Sequence, residues 1–383
     1  MPEIRLHRSR TNIADPEQAA EALVNGIQGG EPRLVTLFAS RDRDQRALNR
    51  AIRERLPKGV RLLGATTNGE VDNEGIHSGS AVLGALSGDF EVALGLGRGL
   101  SVDAAGAGAA AMRAACDEFG LRPQNVDTRR HVGLVIDDGL KAKKEELLLG
   151  ALEKNQSLLV VGGGASDPNM RSAELHIDGA VETDAVLLAL FRTDAPWAVL
   201  RSHPYHPVGT TFTITEVDDT GMRALTIDGK PAAPRFAELV GVPVQDLDFF
   251  NPNGFGTHSA ALRVGREFFM RGPFKVHPDE SIEFVNLLSE GATLELMRLG
   301  DMPGMTRDFF TKDLPRAVTN PQAALIFHCA GRDWLARLHG THPELSASFA
   351  EAPPCVGFNV QFEIFCGFQI NTTLTALVFG KNA

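Results

Sequence analysis

The sequence predicts an α/β (α+β) fold in which two related domains of mixed β-sheets are flanked by helices. Apolar runs of strand length alternate with segments of helical periodicity along the 383 residues. Consecutive strands also occur, which favours mixed sheets over purely parallel ones. A unit of strand, helix, strand, acidic loop and strand is found near both ends of the chain, and this indicates an internal duplication.

Length, composition and charge limit the class of protein. At 383 residues the chain exceeds one ordinary core, so we expect two domains, residues 1–195 and 196–383, divided near the prolines of residues 193–207. The longest apolar runs are strand-sized and the start lacks the apolar core of a signal peptide, so we expect a cytoplasmic protein without a membrane segment. A net charge of −10 argues against nucleic acid and anionic lipid as partners.

In the first half, helices and strands are expected to alternate. Asp15 can cap the first helix and Pro16 suits its first turn. Leu48, Ile52 and Leu56 recur at a spacing of four in the second helix. The predicted elements are helix 15–28, strand 34–39, helix 42–56, strand 60–65, strands 80–86 and 90–96, helix 102–119, strand 132–136, helix 141–153, and strands 158–161, 174–177 and 185–191.

The second half contains the last copy of the repeated unit. Residues 246–263 are rich in Asn, Pro and Gly and are expected to be irregular. The predicted elements are strands 211–216 and 224–227, helix 234–240, strands 281–287 and 293–299, helix 306–317, and strands 323–329, 355–364 and 372–380.

Residues 132–191 resemble a further copy of the unit. In this copy a glycine-rich segment, residues 162–167, replaces the acidic loop. It follows a strand as a phosphate-binding loop would, but it lacks the Lys-Thr/Ser ending of such loops. Close packing of strands is therefore the better explanation.

The acidic loops are the first candidate ligand site. Glu70 and Glu363 end matching loops in the first and last copies, where a carboxylate would accept hydrogen bonds from a ligand amine or from local backbone amides. Thr66 and Thr67 add polar groups to the first loop, and Asn371 adds one near the last. Ligand binding and the locking of the loops by their own carboxylates both remain open.

Arg332 is the second candidate, because it follows a buried strand. A guanidinium at the end of a strand can hold a ligand carboxylate with two parallel hydrogen bonds. An ion pair with Glu363 between the two halves explains the residue equally well. The four cysteines have no metal-like or redox-like spacing, so we predict no metal site and reduced thiols.

The chain resembles the FIST family, the sensory module named for F-box and intracellular signal transduction proteins. Together the matching segments span nearly all of the chain. In the first half they are GATTNGEV (64–71), LVIDDGL (134–140), VVGGGASDP (160–168) and HIDGAVETDAVLLALF (176–191). In the second half they are IDGKPA (227–232), EGATLELM (290–297), ALIFHCAGR (324–332), GFNVQFEI (357–364) and NTTLTAL (371–377).

The resemblance implies adjacent FIST N and FIST C domains, here 1–195 and 196–383, that sense small molecules such as amino acids. It implies a non-catalytic protein that passes ligand state to a separate signalling partner such as a histidine kinase, and a homodimer is compatible with this role. The last loop departs from the family pattern, which commonly has a small residue, Tyr and Gly before the final Glu. Here Val360, Gln361 and Phe362 precede Glu363, which indicates a different ligand.

Two other functions remain as alternatives. A subset of the family resembles nitric-oxide-sensing haemoproteins, which implies haem b held by a histidine. The candidates are His258, His203, His206 and His328, and no Cys-x-x-Cys-His segment for covalent haem is present. The second alternative is a hydrolase with Cys329 or Ser166 as nucleophile, although neither lies in a Gly-x-Ser-x-Gly motif.

Overall fold

The computed structural model describes residues 2–382. Its core consists of three copies of one supersecondary unit, which we call repeats 1, 2 and 3. Each has an edge strand, a helix, two central strands joined by a second helix, a short hairpin and a return strand. In repeat 1 these elements are β1 (Ile4–Thr11), α1 (Pro16–Gly26), β2 (Pro32–Ser40), α2 (Gln45–Arg55), β3 (Arg61–Thr67), the hairpin β4 (Glu70–Asp72) and β5 (Gly75–His77), and β6 (Ala81–Gly88).

Repeat 2 follows at once with the same order of elements. They are β7 (Phe90–Arg98), α3 (Ala104–Glu118), β8 (His131–Asp138), α4 (Lys144–Leu152), β9 (Val160–Ala165), the hairpin β10 (Leu175–Ile177) and β11 (Ala180–Glu182), and β12 (Ala185–Thr193).

Repeat 3 is interrupted after its edge strand β13 (Trp197–Ser202) by a second β structure, which we call the inserted sheet. The inserted sheet comprises β14 (Tyr205–Val217), β15 (Arg223–Ile227), β16 (Lys230–Pro231), α5 (Ala232–Val240), β17 (His258–Val264), β18 (Glu267–Met270), β19 (Pro273–Val276), β20 (Ile282–Phe284) and β21 (Thr293–Leu299).

Repeat 3 then resumes with a helical segment that contains a π-helical turn at Phe309–Asp313. Its remaining elements are α6 (Met302–Asp308), α7 (Leu314–Ala317), β22 (Ala323–Cys329), α8 (Ala330–Leu338), α9 (His342–Ala347), β23 (Cys355–Phe365), β24 (Phe368–Ile370) and β25 (Leu374–Phe379).

Strand order confirms the predicted mixed sheets and internal duplication. The orders are β1-β6-β2-β3, β7-β12-β8-β9 and β13-β25-β22-β23, so each repeat places its strands identically. The two central strands of each repeat are parallel, as a helical crossover requires, and their other neighbours in the repeat are antiparallel. The third copy predicted over residues 132–191 forms the larger part of repeat 2.

The hairpins connect the repeats in a cycle. The repeat 1 hairpin pairs with β23 of repeat 3 through β4. The repeat 2 hairpin pairs with β3 of repeat 1 through β10. The end of β23, which forms the repeat 3 hairpin with β24, pairs with β9 of repeat 2. Because β9 and β23 are neighbours, repeats 2 and 3 share one eleven-stranded sheet.

The main core lies between the sheets of the three repeats, and helices cover their outer faces. At its centre Phe358 of repeat 3 stacks on Phe38 of repeat 1, with 4.6 Å between ring centroids. Both rings are fully buried, and burial of one such side chain contributes about 2–3 kcal/mol. The three repeats therefore share one core. The predicted division at residue 195 falls in the connection between β12 and β13.

Some elements differ from the prediction. Residues 246–263 were expected to be irregular, but β17 begins at His258 and pairs with both β18 and β21. The strands β1, β18 and β19 are among those that were not predicted. Charged residues interrupt the apolar alternation of β1, and β18 and β19 are only four residues long. Among residues 2–382, every helix is too short or too polar to cross a membrane.

Candidate functional site

A cavity of about 400 Å³ lies between repeat 2, repeat 3 and the inserted sheet. Its walls are mostly apolar and aromatic, with a few amide, hydroxyl and carboxylate groups, a composition typical of small-molecule sites. The lining residues used below are Ala142, Glu145, Met170, Phe249, Phe274, Cys329, Ala330, Gly331, Trp334, Gln361, Phe362, Gln369, Asn371 and Thr372.

The floor of the cavity forms where strands of repeats 2 and 3 end against each other. Near its end β22 pairs Cys329 with Val360 of β23. The next residue of β23, Gln361, pairs with Gly164 near the end of β9. Loops that follow strands of both repeats therefore converge here. Ligands of open α/β sheets commonly bind outside the carboxyl ends of strands.

Two helices begin at the cavity without a side-chain cap. Neither α4 nor α8 has an N-cap side chain that accepts a backbone N–H, although Asp44 caps the equivalent helix α2 by accepting from Ala47 N at 3.0 Å. Ala330 and Gly331 of the first turn of α8 line the cavity. The backbone N–H groups of a first turn lack helical partners, so a ligand acceptor there is favoured.

The inserted sheet covers the cavity and is tied to the repeat 3 hairpin. The backbone oxygen of Gln369 accepts hydrogen bonds from Arg271 at 3.0 Å and from Asn286 Nδ2 at 3.2 Å. The Gln369 side chain donates to the oxygen of Val285 at 2.5 Å. These contacts hold the roof of the cavity against one of its walls.

Glu145 links the same roof to repeat 2. Its Oε2 accepts from the backbone N–H of Leu287 at 3.1 Å, and its Oε1 lies 4.0 Å from Nη2 of Arg271. Burial raises the pKa of Glu145, while Arg271 and the Leu287 amide lower it. The first turn of α4 is thus bonded directly to the inserted sheet.

Aromatic rings form one wall. Phe249 packs against Phe274 with 5.5 Å between centroids, and against Trp334 at 6.5 Å. Phe250 does not line the cavity, but it adds a fourth ring behind the wall, 5.6 Å from Trp334. We call these four residues the aromatic cluster.

Of the six ligand-binding residues predicted from the sequence, Asn371 lies on the cavity wall. Its Nδ2 donates to Asn286 Oδ1 and to the oxygen of Met270, the latter at 3.4 Å. Asn371 is 2% exposed, so its amide already serves to connect the hairpin with the inserted sheet.

Glu363 lies behind the wall and locks its own hairpin. Its Oε2 accepts from Thr373 N at 3.1 Å and from Thr373 Oγ1 at 2.5 Å. Glu70 accepts the same two bonds from Ser80, at 3.1 Å from N and 2.6 Å from Oγ. In both repeats the partner is ten residues later, so the carboxylates are equivalent.

Repeat 2 confirms this equivalence by its register. Each of the three corresponding residues pairs with the second central strand of another repeat, and always at the same position of that strand. The pairs are Glu70–Phe358, Leu175–Ala65 and Glu363–Gly163. Repeat 2 has Leu175 in place of the carboxylate and Ala185 in place of the hydroxyl. Both members of the polar pair are thus replaced together, as the cost of an unpaired buried group requires.

Burial raises the pKa of Glu363 to about 7, and hydrogen bonds from Thr373 and the charge of Arg332 oppose the shift. Its Oε1 has no hydrogen-bond partner among the described residues. Burial and the neighbouring Glu363 raise the pKa of the Cys329 thiol well above its usual range. Cys329 is therefore a protonated thiol rather than the thiolate that a nucleophile requires.

Thr66 and Thr67 lie in repeat 1, away from the cavity. Thr66 Oγ1 accepts from the backbone of Glu174 at 3.0 Å, and Thr67 donates to Glu70. Both threonines are fully buried, so they connect strands rather than face an open pocket.

Arg332 is also fully buried and does not line the cavity. It donates to His328 Nε2 at 3.2 Å, to Thr306 Oγ1 at 2.5 Å and to the oxygen of Ser202 at 3.4 Å. Burial lowers its pKa to about 10. No carboxylate of residues 2–382 pairs with it within 4.0 Å, so the direct ion pair with Glu363, one of the two alternatives, is not formed.

Repeat 1 contains an equivalent arginine. Arg43 follows Ser40 at the end of β2 as Arg332 follows Cys329 at the end of β22. Arg43 donates to the oxygen of Thr11, the last residue of edge strand β1, at 3.3 Å. Ser202, the acceptor of Arg332, is the last residue of edge strand β13. Both arginines therefore tie an edge strand to the core.

The four histidines predicted as haem ligands lie outside the cavity. His328 is fully buried and its Nδ1 is bonded to Asn359 at 2.8 Å. His203 packs edge-on against Phe268, His206 is exposed and His258 is half-buried. Among the described residues no histidine lines the cavity. The cavity thus offers no histidine as an axial ligand for haem b.

Sequence reasoning missed the strained residues of the wall. Ala142, Met170, Phe362 and Thr372 line the cavity and have φ values of 53°, 53°, 62° and 51°. Left-handed backbone is unusual for residues other than Gly, Asn and Asp. The only available signal was the departure of Phe362 from the usual Gly before Glu363.

Comparison with family models matches two adjacent segments of the chain. Residues 33–230 match the FIST N domain, and residues 232–366 match the FIST C domain. No curated protein matches the chain.

Solved structures give only remote similarity. The T. maritima PurL complexed with AMPPCP is 12% identical, with 98% of this chain and 72% of that chain covered and a TM-score of 0.20. The same protein complexed with ATP is 12% identical, with 98% and 71% covered and a TM-score of 0.20. At this TM-score the likeness supports no conclusion about fold or function.

Proposed function

Because this chain belongs to the FIST family, we propose that it binds a small ligand in the cavity between repeat 2, repeat 3 and the inserted sheet. FIST domains are small-ligand-binding sensory domains of signal transduction. The observation that carries the proposal is the cavity itself, whose walls come from all three of these parts of the chain.

The proposed mechanism is a shift of population. Glu145 and Gln369 hold the inserted sheet against repeats 2 and 3, so a ligand that contacts all three parts favours one arrangement of them. A signalling partner that binds that arrangement better reads the ligand state. Coupling free energies of about 1–3 kcal/mol are sufficient for such a response.

The same proposal covers the partner, the location, the oligomeric state and the domain division of the protein. The partner is a separate signalling protein such as a histidine kinase, the location is cytoplasmic, and the protein forms a homodimer. We also retain the division into residues 1–195 and 196–383. The ligand role of Asn371 rests on its position in the wall, whereas Thr66, Thr67, Glu70, Glu363 and Arg332 would act on the ligand only through the scaffold.

Native mass spectrometry of the freshly purified protein tests the proposal. We expect a bound compound that is lost on mild denaturation. Trp334 lines the cavity and the other tryptophan, Trp197, does not, so the Trp197→Phe variant leaves one reporter. Removal and return of the compound should change the emission of Trp334 reversibly. A protein that binds no compound, with unaltered Trp334 emission across a library of metabolites, would refute the proposal.

Haem sensing is a separate candidate, and a histidine ligand for haem would have to lie outside the cavity, since no described histidine lines it. The visible spectrum after haem loading decides it. A Soret band that disappears in a His203→Ala or His258→Ala variant would support a haem site at the base of the inserted sheet.

A further inference from the structure

Repeats 1 and 3 differ at two positions that border the equivalent hairpins. Gly69 precedes Glu70 in repeat 1, and Phe362 precedes Glu363 in repeat 3. Gly79 precedes Ser80, and Thr372 precedes Thr373, the equivalent partner of the carboxylate.

All four of these residues have positive φ. The values are 137° for Gly69, 71° for Gly79, 62° for Phe362 and 51° for Thr372. Glycine adopts such backbone without strain, whereas a bulky aromatic and a β-branched residue do so at a cost. Repeat 1 shows that glycine satisfies the hairpin, so the hairpin does not require side chains at these positions in repeat 3.

Both strained side chains line the cavity. Backbone strain that the fold does not need is found mainly at ligand sites, where the side chain has a task. Phe362 and Thr372 are held there by neighbours: Phe362 forms a bulge in the pairing of β23 with β9, and the backbone N–H of Thr372 donates to Cys329 Sγ at 3.1 Å.

The surroundings of Phe362 indicate what it contacts. Within residues 2–382 its ring forms no aromatic pair, whereas Phe249, Phe274 and Trp334 of the aromatic cluster also line the cavity. The cavity therefore exposes the Phe362 ring and the cluster without ring contact between them. A flat ring system in this space can stack on either surface, a contact worth more than its buried area alone.

Polar groups are concentrated beside Thr372. Its hydroxyl is 3.3 Å from Asn371 Oδ1, and the uncapped first turn of α8 presents Ala330 and Gly331. These groups suit one oxygen-bearing substituent on a ligand.

We propose that Phe362 and Thr372 determine specificity, and that the cavity takes a ligand with a flat aromatic body and one oxygen substituent. The proposal rests on the proposed function and adds the ligand class. In this arrangement the ring lies against Phe362 and the aromatic cluster, and the substituent reaches Thr372 and the start of α8.

Titration calorimetry with 2-naphthol and decahydro-2-naphthol, which share a hydroxyl and a carbon skeleton, tests the aromatic preference. We expect the wild-type protein, stripped of bound compound, to bind 2-naphthol at least about fivefold more tightly. Phe362→Gly should weaken 2-naphthol binding at least tenfold and abolish the preference, and Thr372→Gly should weaken it about fivefold. The matched control is Glu280→Gly, which replaces another side chain at positive φ (62°) outside the cavity lining.

Melting temperature supplies the second readout, because glycine suits both backbones. We expect Phe362→Gly to melt within about 2 °C of the wild type, since relieved strain offsets the lost wall contacts. Unchanged 2-naphthol affinity in Phe362→Gly would overturn the proposal, as would equal binding of the two naphthols or binding of neither. The proposed function is tested separately. It would still hold after any of these results if native mass spectrometry finds another bound compound.

Discussion

At the scale of single residues, comparison of the repeats separates the scaffold from the proposed ligand site. Contacts present in both repeats 1 and 3, such as those of Glu70 and Glu363, serve the fold. Residues that differ, such as Phe362 in place of Gly69, are the candidates for function. Arg332, which the sequence predicted as a ligand-binding residue, belongs to the scaffold because Arg43 makes an equivalent contact with an edge strand.

We therefore predict that Arg332→Ala destabilises the protein without a specific effect on binding. Loss of its three hydrogen bonds and its buried side-chain volume should lower the free energy of unfolding by about 2–4 kcal/mol, and Arg43→Ala should act similarly. Urea denaturation measures the change, with Arg337→Ala as an exposed control on the same helix, expected within about 0.5 kcal/mol. A stable Arg332→Ala protein that no longer binds ligand would restore the carboxylate-clamp hypothesis.

A second prediction concerns the pH dependence that Glu363 introduces. Its folded pKa of about 7 lies above the unfolded value, so the folded state holds more protons between about pH 4.5 and 7. The contribution of the Glu363 carboxyl to the free energy of unfolding is fully present below about pH 4.5 and is lost as the pH rises through about 7. Glu363→Gln keeps an acceptor for Thr373 and removes the titration. The difference in melting temperature, variant minus wild type, should therefore grow from pH 5 to pH 8.

The exposed Glu344→Gln variant is the control for the loss of one carboxyl group. A melting-temperature difference for Glu363→Gln that does not change with pH would show that the Glu363 carboxylate is ionised in the fold throughout this range.

At the scale of secondary-structure elements, the hairpins are what connect the molecule. Each hairpin pairs with another repeat, and the third also reaches the inserted sheet through Asn371. The third hairpin is therefore the element that joins the cavity wall to its roof.

Asn371→Ala should weaken the connection between the repeat 3 hairpin and the inserted sheet without affecting the rest of the fold. Without the bonds to Asn286 and Met270, we expect amide hydrogen exchange to rise about tenfold over β18 to β20, with little change in the core strands of repeat 1. The matched variant is Asn73→Ala, which removes the hairpin bonds of repeat 1 to Ala352 and Pro353, both 3.0 Å. It should raise exchange around residues 349–355 instead. Equal exchange over β18 to β20 in both variants would contradict the assigned role of Asn371.

Much of the element order could be predicted, because buried central strands such as β2 and β22 are continuous apolar runs. The edge strand β1 could not, since Arg and His occupy half-buried positions of its surface. The contacts of Glu145 with Leu287 and of Asn371 with Asn286 join residues far apart in sequence. A single sequence contains no signal for such pairs. The position of the cavity therefore depends on how the repeats assemble, which the sequence alone does not reveal.

At the scale of the whole molecule, the position of the cavity explains how a ligand state would spread. Its walls belong to α4 of repeat 2, the hairpin and α8 of repeat 3, and β19 and β20 of the inserted sheet. Repeat 1 contributes none of the lining residues. A bound ligand therefore reinforces contacts between three parts of the chain and leaves the fourth unaffected.

This asymmetry leads to a prediction for the ligand-bound state, measured by hydrogen exchange with and without saturating 2-naphthol. Exchange should slow together over the first turn of α4, residues 361–372 and strands β19 and β20, by about 5- to 150-fold for a coupling of 1–3 kcal/mol. The hairpin of repeat 1 serves as an internal control, because Glu70 and Ser80 lock it independently of the cavity. Protection confined to residues 361–372 would contradict a role for the inserted sheet. A ligand that does not restrain the inserted sheet cannot change how a partner binds to that sheet.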